Sequence, residues 1–160
     1  MSEAASAQLV KTSTLGDELN DQDAAVLASV MAVHQLKDGE MIVKEGQKDD
    51  SLFLLARGSL SVISAHNEDN EIVYTMKAGE CAGTRAFVDR TPRKATLQSK
   101  GDALVYSMTP QGFESLLDDH PKIVYKVMRA IFRITHSNLM RMNQEKEQLS
   151  NYINKTHGRY

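Results

Sequence analysis

The sequence predicts a mainly β domain of the α+β class, with a helix before it and a long helix after it. Two observations carry the β part. Between about residue 33 and residue 108, short segments are rich in β-branched and aromatic residues, and turn-forming glycines separate them. A third observation carries the long helix. After Pro121 no proline or glycine interrupts the chain before Gly158, and apolar residues recur at steps of four and three.

Taken from the N-terminus, residues 1–14 are small and polar and read as a flexible arm. In LNDQDAAVLASVMAVHQL (19–36), Asn20 can cap a short helix with Asp23 three residues on, and Leu27, Val30 and Met31 supply its apolar face. The predicted strands are MIVK (41–44), SLFLLA (51–56), SLSVIS (59–64), EIVYTM (71–76), ATLQS (95–99) and ALVYSM (103–108). Lys-Asp-Gly (37–39), Glu-Gly-Gln (45–47), Arg-Gly (57–58) and Ala-Gly (78–79) supply the reversals between them. HNEDN (66–70) is a polar hairpin tip. Strands this short at this spacing suggest an antiparallel barrel or sandwich. Thr109-Pro110 is a cap and first-turn pair opening a short helix through Leu117, and Pro121 opens the long one. The chain thus divides into an arm (1–14), a domain (15–120) and a helix (121–156).

Composition narrows the function classes. At 160 residues, with 41% hydrophobic and 25% charged residues, the chain is an ordinary globular domain with an appendage. No apolar run approaches the ~20 residues a membrane span needs, and the first residues lack a signal peptide's basic and apolar blocks, so a cytoplasmic protein is expected. The single Cys81 excludes an internal disulfide and a multi-cysteine metal site, and is read as a small buried hydrophobe. Histidines 34, 66, 120, 136 and 157 have no metal-ligand spacing, and no Ser-His-Asp set, phosphate-binding Walker loop or catalytic carboxylate pair stands out. An enzyme is not expected. The net charge of −2 is uneven, because residues 121–160 carry eight Lys/Arg against Glu145 and Glu147. That surplus is the solvated face of a helix or a surface for an acidic partner.

The stretch from Gly79 to Thr96, GECAGTRAFVDRTPRKAT, carries the most chemistry. A Gly-x-x-x-Gly turn leads into a short helix-like run, then Arg93 precedes an Ala-Thr strand start. Outward-pointing N–H groups at a helix start favour an anion, and a guanidinium grips phosphate oxygens in a fork. The stretch resembles the phosphate-binding cassette of the cyclic nucleotide-binding domain family, whose usual pattern is Phe-Gly-Glu-Leu-Ala-Leu, a short gap, then Pro-Arg-x-Ala-Thr. Gly83, Ala86, Pro92, Arg93, Ala95 and Thr96 match it, and the likeness covers about residues 20–150. The resemblance implies an eight-stranded antiparallel β-roll of jelly-roll topology. It also implies a small anionic nucleotide ligand, cAMP or cGMP, with no other cofactor. By the same resemblance the phosphate falls to Gly83, Thr84, Arg85, Ala86 and Arg93, and the ribose or base to Thr84, Lys94 and Asn138. Three positions depart from the pattern. Thr84 stands in place of the family's ribose-binding glutamate, Ala82 replaces a bulky aromatic, and Arg85 replaces an apolar residue. Arg85 is either a solvated turn charge or added positive charge that suits a more anionic ligand. These departures motivate an alternative function, a non-binding domain that serves as a dimerising interaction scaffold.

Along the long helix, Val124, Met128, Ile131, Thr135, Asn138, Met142, Glu145, Leu149 and Tyr152 form a heptad-like stripe. The resemblance implies that a second copy covers it, with Met128, Ile131, Thr135, Asn138, Met142, Leu149 and Tyr152 in the homodimer seam. Asn138 then either fixes the register of the pair or reaches the purine ring. Past residue 150 too little sequence follows for a helix-turn-helix module, so DNA binding in that manner is not expected. A sensor of this kind signals through the dimer helix or an unidentified protein partner.

Overall fold

Residues 52–57, LFLLAR, contain five consecutive buried residues, the mark of a strand enclosed on both faces. The computed structural model of the chain describes residues 3–64 and 70–157, with side chains as far as residue 148. In chain order the elements are α1 (Ala7–Lys11), a 3-10 turn (Thr14–Gly16), α2 (Asp21–Ser29), β1 (Ala32–Leu36), β2 (Met41–Val43), β3 (Leu52–Arg57), β4 (Ser59–Ser64), β5 (Glu71–Lys77), β6 (Cys81–Ala82), α3 (Thr84–Asp89), β7 (Thr96–Ser99), β8 (Ala103–Met108), α4 (Pro110–Glu114) and α5 (Pro121–His157). The strands form two four-stranded antiparallel sheets, ordered β1-β8-β3-β6 and β2-β7-β4-β5. Successive side chains of a strand point to opposite faces, and β3 uses both. Phe53 and Leu55 face the second sheet with Val43, Leu60, Met76, Leu97 and Val105. Leu52 and Leu54 face the helices, meeting Leu15, Leu27, Phe113, Ile123 and Val127. The eight-stranded roll flanked by helices is the fold the resemblance implied.

Strands β4 and β8 keep their predicted limits, and the boundaries of β2, β3, β5 and β7 shift by at most one residue. Asn20 caps α2 as expected. Its Oδ1 accepts from Asp23 N–H at 2.8 Å, while Asp23 Oδ2 accepts from Asn20 N–H at 3.3 Å. The tail of the segment read with that helix instead forms β1, which pairs along its whole length with β8. The hairpin tip read at 66–70 lies, apart from Asn70, outside the described residues.

The described part of residues 1–14 is not a free arm. Ser6 caps α1 by accepting from Leu9 N–H at 3.3 Å, its own N–H donates to the Tyr106 hydroxyl at 3.0 Å, and Val10 is fully buried. Thr14 N–H then donates to the Gly79 carbonyl at 2.9 Å, tying the segment to the turn before β6. A helix of five residues is too short to hold itself in water, so docking rather than local pattern forms it.

The long helix also departs from the predicted stripe. Ile131 lies in the domain's own core with Ile123, Val127 and Ala130, and Asn138 is half-buried against the roll. The apolar residues left in the open are Tyr125, Met128, Phe132, Leu139, Met140 and Met142, with Phe132 71% exposed. Together with Thr135, the set 125, 128, 132, 135, 139, 142 keeps steps of three and four. The open stripe therefore keeps Met128, Thr135 and Met142 of the predicted one and exchanges Val124, Ile131 and Asn138 for their neighbours Tyr125, Phe132 and Leu139. Leu149 and Tyr152 lie outside the described side chains. The basic surplus of α5 is partly spent inside the domain. Lys126 pairs with Asp23 at 3.1 Å, and Glu18 takes both Arg129 and Arg133 at 3.0 and 3.1 Å.

If the N-terminal segment is docked, Val10→Ala lowers stability by about 1–3 kcal/mol, through the lost contacts of a buried side chain. A denaturant titration read by far-UV circular dichroism checks it, since a frayed arm would leave the midpoint unmoved.

Candidate functional site

Gly83 opens the site because the chain must turn there in a way other residues resist. It caps α3 with φ 88° and ψ 19°, in the left-handed region, and a Cβ at this position would collide with Nη1 of Arg93. The first bond within α3 runs from Phe87 N–H to the Gly83 carbonyl at 3.0 Å, which leaves the N–H groups of Thr84, Arg85 and Ala86 free of helix partners. Phe87 anchors the helix on α4, its ring 5.6 Å from that of Phe113.

Arg93 faces this turn from the strand side. Backbone bonds pin it to the loop after β2, with Gly46 N–H on the Arg93 carbonyl at 2.8 Å and Arg93 N–H on the Gln47 carbonyl at 3.0 Å. The residue is only 5% exposed. Its Nη2 donates to the Ser51 carbonyl and, at 3.4 Å, to Asp49 Oδ1, and the guanidinium lies 4.8 Å over the Phe53 ring. Nε is buried with no partner. Burial works against the charge, and Asp49 works for it. The buried hydroxyl of Thr91 also has no partner.

Between these elements lies a cavity of about 210 Å³, with Val43, Val62 and Leu97 as its apolar wall and residues 83–86, Thr91 and Arg93 as its polar one. Lys94 lines its mouth. A second recess of about 440 Å³ continues toward α5, sharing Val62, Ala82, Gly83, Lys94 and Ala95 with the first. Tyr74, Glu80, Asn138 and Arg141 border it. Arg141 lies 4.0 Å over the Tyr74 ring, and the Tyr74 hydroxyl donates to Glu80 Oε2 at 2.7 Å. The fold therefore gathers Gly83, Thr84, Arg85, Ala86, Arg93 and Lys94 round one cavity and brings Asn138 to the adjoining recess.

Residues 33–120, more than half of the chain, match the cyclic nucleotide-binding domain family. The chain belongs to that family. It is 26% identical over 99 residues to the cAMP-dependent protein kinase regulatory subunit of Candida albicans, which covers 62% of this chain and 21% of that protein. It is also 26% identical over 111 residues to lysophospholipase NTE1 of Mycosarcoma maydis, which covers 69% of this chain and 6% of that protein. The chain thus spans a small share of either relative's length. Among solved structures, a cyclic nucleotide-binding domain from Methylobacillus flagellatus KT superimposes with a TM-score of 0.82 at 16% identity, covering 91% of this chain and 86% of that one. At that identity the likeness is one of fold.

Within this cyclic nucleotide-binding fold, several residues at the site escaped the sequence reading. Asp49 and Ser51 hold the arginine, yet an acid in a polar loop carries no signal until the fold brings it to Arg93. Tyr74 and Arg141 meet only because α5 lies over β5. Cys81 is the inert thiol expected. Burial pushes its pKa up to about 12, against a hydrogen bond from Thr14 and with help from the nearby Glu80 charge.

Burial pushes the Asp49 carboxyl up, but hydrogen bonds from Ser51 and the Arg93 charge outweigh it and hold the group below its ordinary value. A carboxylate depressed on folding adds stability above its unfolded pKa of about 3.9 and loses it as pH falls through the lower folded value. Asp49→Asn is therefore expected to flatten the acid limb of the stability profile between about pH 5 and pH 2. Thermal unfolding across that range, beside the wild type, measures it; parallel profiles would contradict the assignment.

Proposed function

We propose that this domain is a ligand-sensing regulatory module, cytoplasmic, which holds a cyclic nucleotide of the cAMP or cGMP type or a related phosphate ligand. The observation that carries this is a buried Arg93 with an unsatisfied Nε beside the Cβ-less turn at Gly83, on a cavity whose lining residues 84–86 have backbone N–H groups without helix partners. Membership of the family supports it, as does the likeness to a kinase regulatory subunit whose name states dependence on cAMP.

In this reading the cyclic phosphate accepts from the N–H groups of residues 83–86 and from Arg93. Thr84 offers a hydroxyl to the ribose where the family has a carboxylate. Lys94 and Asn138 stand toward the base. A neutral hydroxyl in place of a carboxylate forfeits a charge-assisted bond, about one to two orders of magnitude in affinity. Weak binding of cAMP is thus the natural expectation. Ligand in the cavity biases the position of α5 through the recess it shares with Asn138 and Arg141, by its differential affinity for two helix arrangements. The open stripe of Tyr125, Met128, Phe132, Leu139 and Met142 is the seam for a second copy, because apolar residues at heptad spacing on a projecting helix need a matching partner.

Calorimetric titration with cAMP and cGMP tests the site. Measurable binding, weakened about 10- to 100-fold or more by Arg93→Gln, is expected from the loss of a charged hydrogen-bond partner. Absence of heat and of thermal stabilisation at millimolar nucleotide would favour the scaffold reading. Sedimentation equilibrium tests the seam. Phe132→Glu together with Leu139→Glu should convert a dimer to a monomer with the fold intact, whereas a mass unchanged by the pair would place the interface elsewhere.

A further inference from the structure

We propose that the ligand this cavity suits best is a nucleotide carrying a second phosphate-type charge, rather than a cyclic mononucleotide with one. The proposal rests on the reading of the cavity as a nucleotide site and names its ligand class. Three cations line the cavity, Arg85, Arg93 and Lys94, and no carboxylate does. A cyclic phosphodiester carries a single negative charge. Arg93 already has Asp49 Oδ1 at 3.4 Å to set against its own charge. Arg85 and Lys94 are exposed, and among the described residues neither forms an ion pair. The site therefore offers two uncompensated cations beyond the guanidinium that one phosphate would use.

The neighbouring acids lie outside the cavity. Glu80 and Glu145 border only the adjoining recess, where Glu80 accepts from the Tyr74 hydroxyl at 2.7 Å and Glu145 lies 4.0 Å from Arg141. Space points the same way. The recess of about 440 Å³ opens from the cavity past Lys94, so a ligand that outgrows the cavity of about 210 Å³ has room to continue toward Arg141. Thr84 fits this chemistry too. A carboxylate at that position would repel a second phosphate, while a hydroxyl donates to it.

Two sources share the chemistry, a nucleoside bisphosphate and a cyclic dinucleotide, and titration separates them. The probes are cAMP, adenosine 3′,5′-bisphosphate and cyclic di-AMP, each measured at low and at physiological salt. Either adenosine 3′,5′-bisphosphate or cyclic di-AMP is expected to bind at least about tenfold more tightly than cAMP, with a preference that shrinks as salt rises. The double variant Arg85→Gln, Lys94→Gln is expected to bring the ratio close to one. Both residues are exposed, and circular dichroism confirms that the variant folds. Binding of cAMP as tight as that of either probe, or a ratio unmoved by the variant, overturns the proposal and leaves the nucleotide site standing. Failure of all three to bind at millimolar concentration overturns both.

Discussion

Burial of the Arg93 guanidinium is the constraint on which the cassette depends. Taking such a charge out of water costs on the order of several kcal/mol unless partners replace the lost solvation. Here the partners come from one loop and the strand β3 that it enters. Asp49 supplies the counter-charge, the Ser51 carbonyl takes an N–H, and the Phe53 ring lies beneath the cation. The same loop, through Gly46 and Gln47, holds the arginine's backbone. Gly83 must then lack a Cβ, because the guanidinium occupies the space where one would project. Three separated stretches, 46–53, 83–86 and 91–94, are thereby locked into one rigid wall. Arg93 Nε and the Thr91 hydroxyl, both buried without a hydrogen-bond partner, are among the polar positions this wall leaves open beside the cavity.

The wall is joined to α5 at two points of different character. Near its start the helix is part of the core through Ile123, Val127 and Ile131, and its cations are clasped by Glu18 and Asp23 from the N-terminal segment. Exposed pairs of this kind contribute little stability individually, so their role is to orient the helix rather than to hold it. Further along, contact with the roll thins to Arg141 over Tyr74 and the side of Asn138. That thin contact borders the recess. In the function proposed above, a ligand reaching into the recess would meet the helix beyond its core-packed part, beside the exposed apolar stripe.

Much of the roll was legible in the sequence because β-branched segments and turn glycines are local signals. Strands β4 and β8, and the capping box at Asn20, follow directly from them. What escaped is what tertiary contact creates. Strand β6 has two residues and exists only by pairing Cys81 and Ala82 with Leu54 and Phe53. Helix α1 exists by burying Val10. Of the predicted stripe on α5, Met128, Thr135 and Met142 are exposed while Val124, Ile131 and Asn138 turn toward the domain, because two apolar faces run side by side and sequence periodicity cannot say which of them the domain itself consumes. At the site, Gly83 and Arg93 were visible as types in a pattern. Asp49 and Tyr74 were not, since their importance comes from long-range proximity alone.

The central claim is that residues 83–86 and Arg93 form one wall of a nucleotide-phosphate site. Amide hydrogen exchange resolved to single residues, with and without saturating nucleotide, tests it most directly. The account predicts that the N–H groups of Thr84, Arg85 and Ala86, fast in the free protein for want of helix partners, slow markedly when ligand is present, with Arg93 Nε–H shifting in the same titration. Unchanged exchange at these amides, with protection appearing elsewhere on the domain, would contradict it.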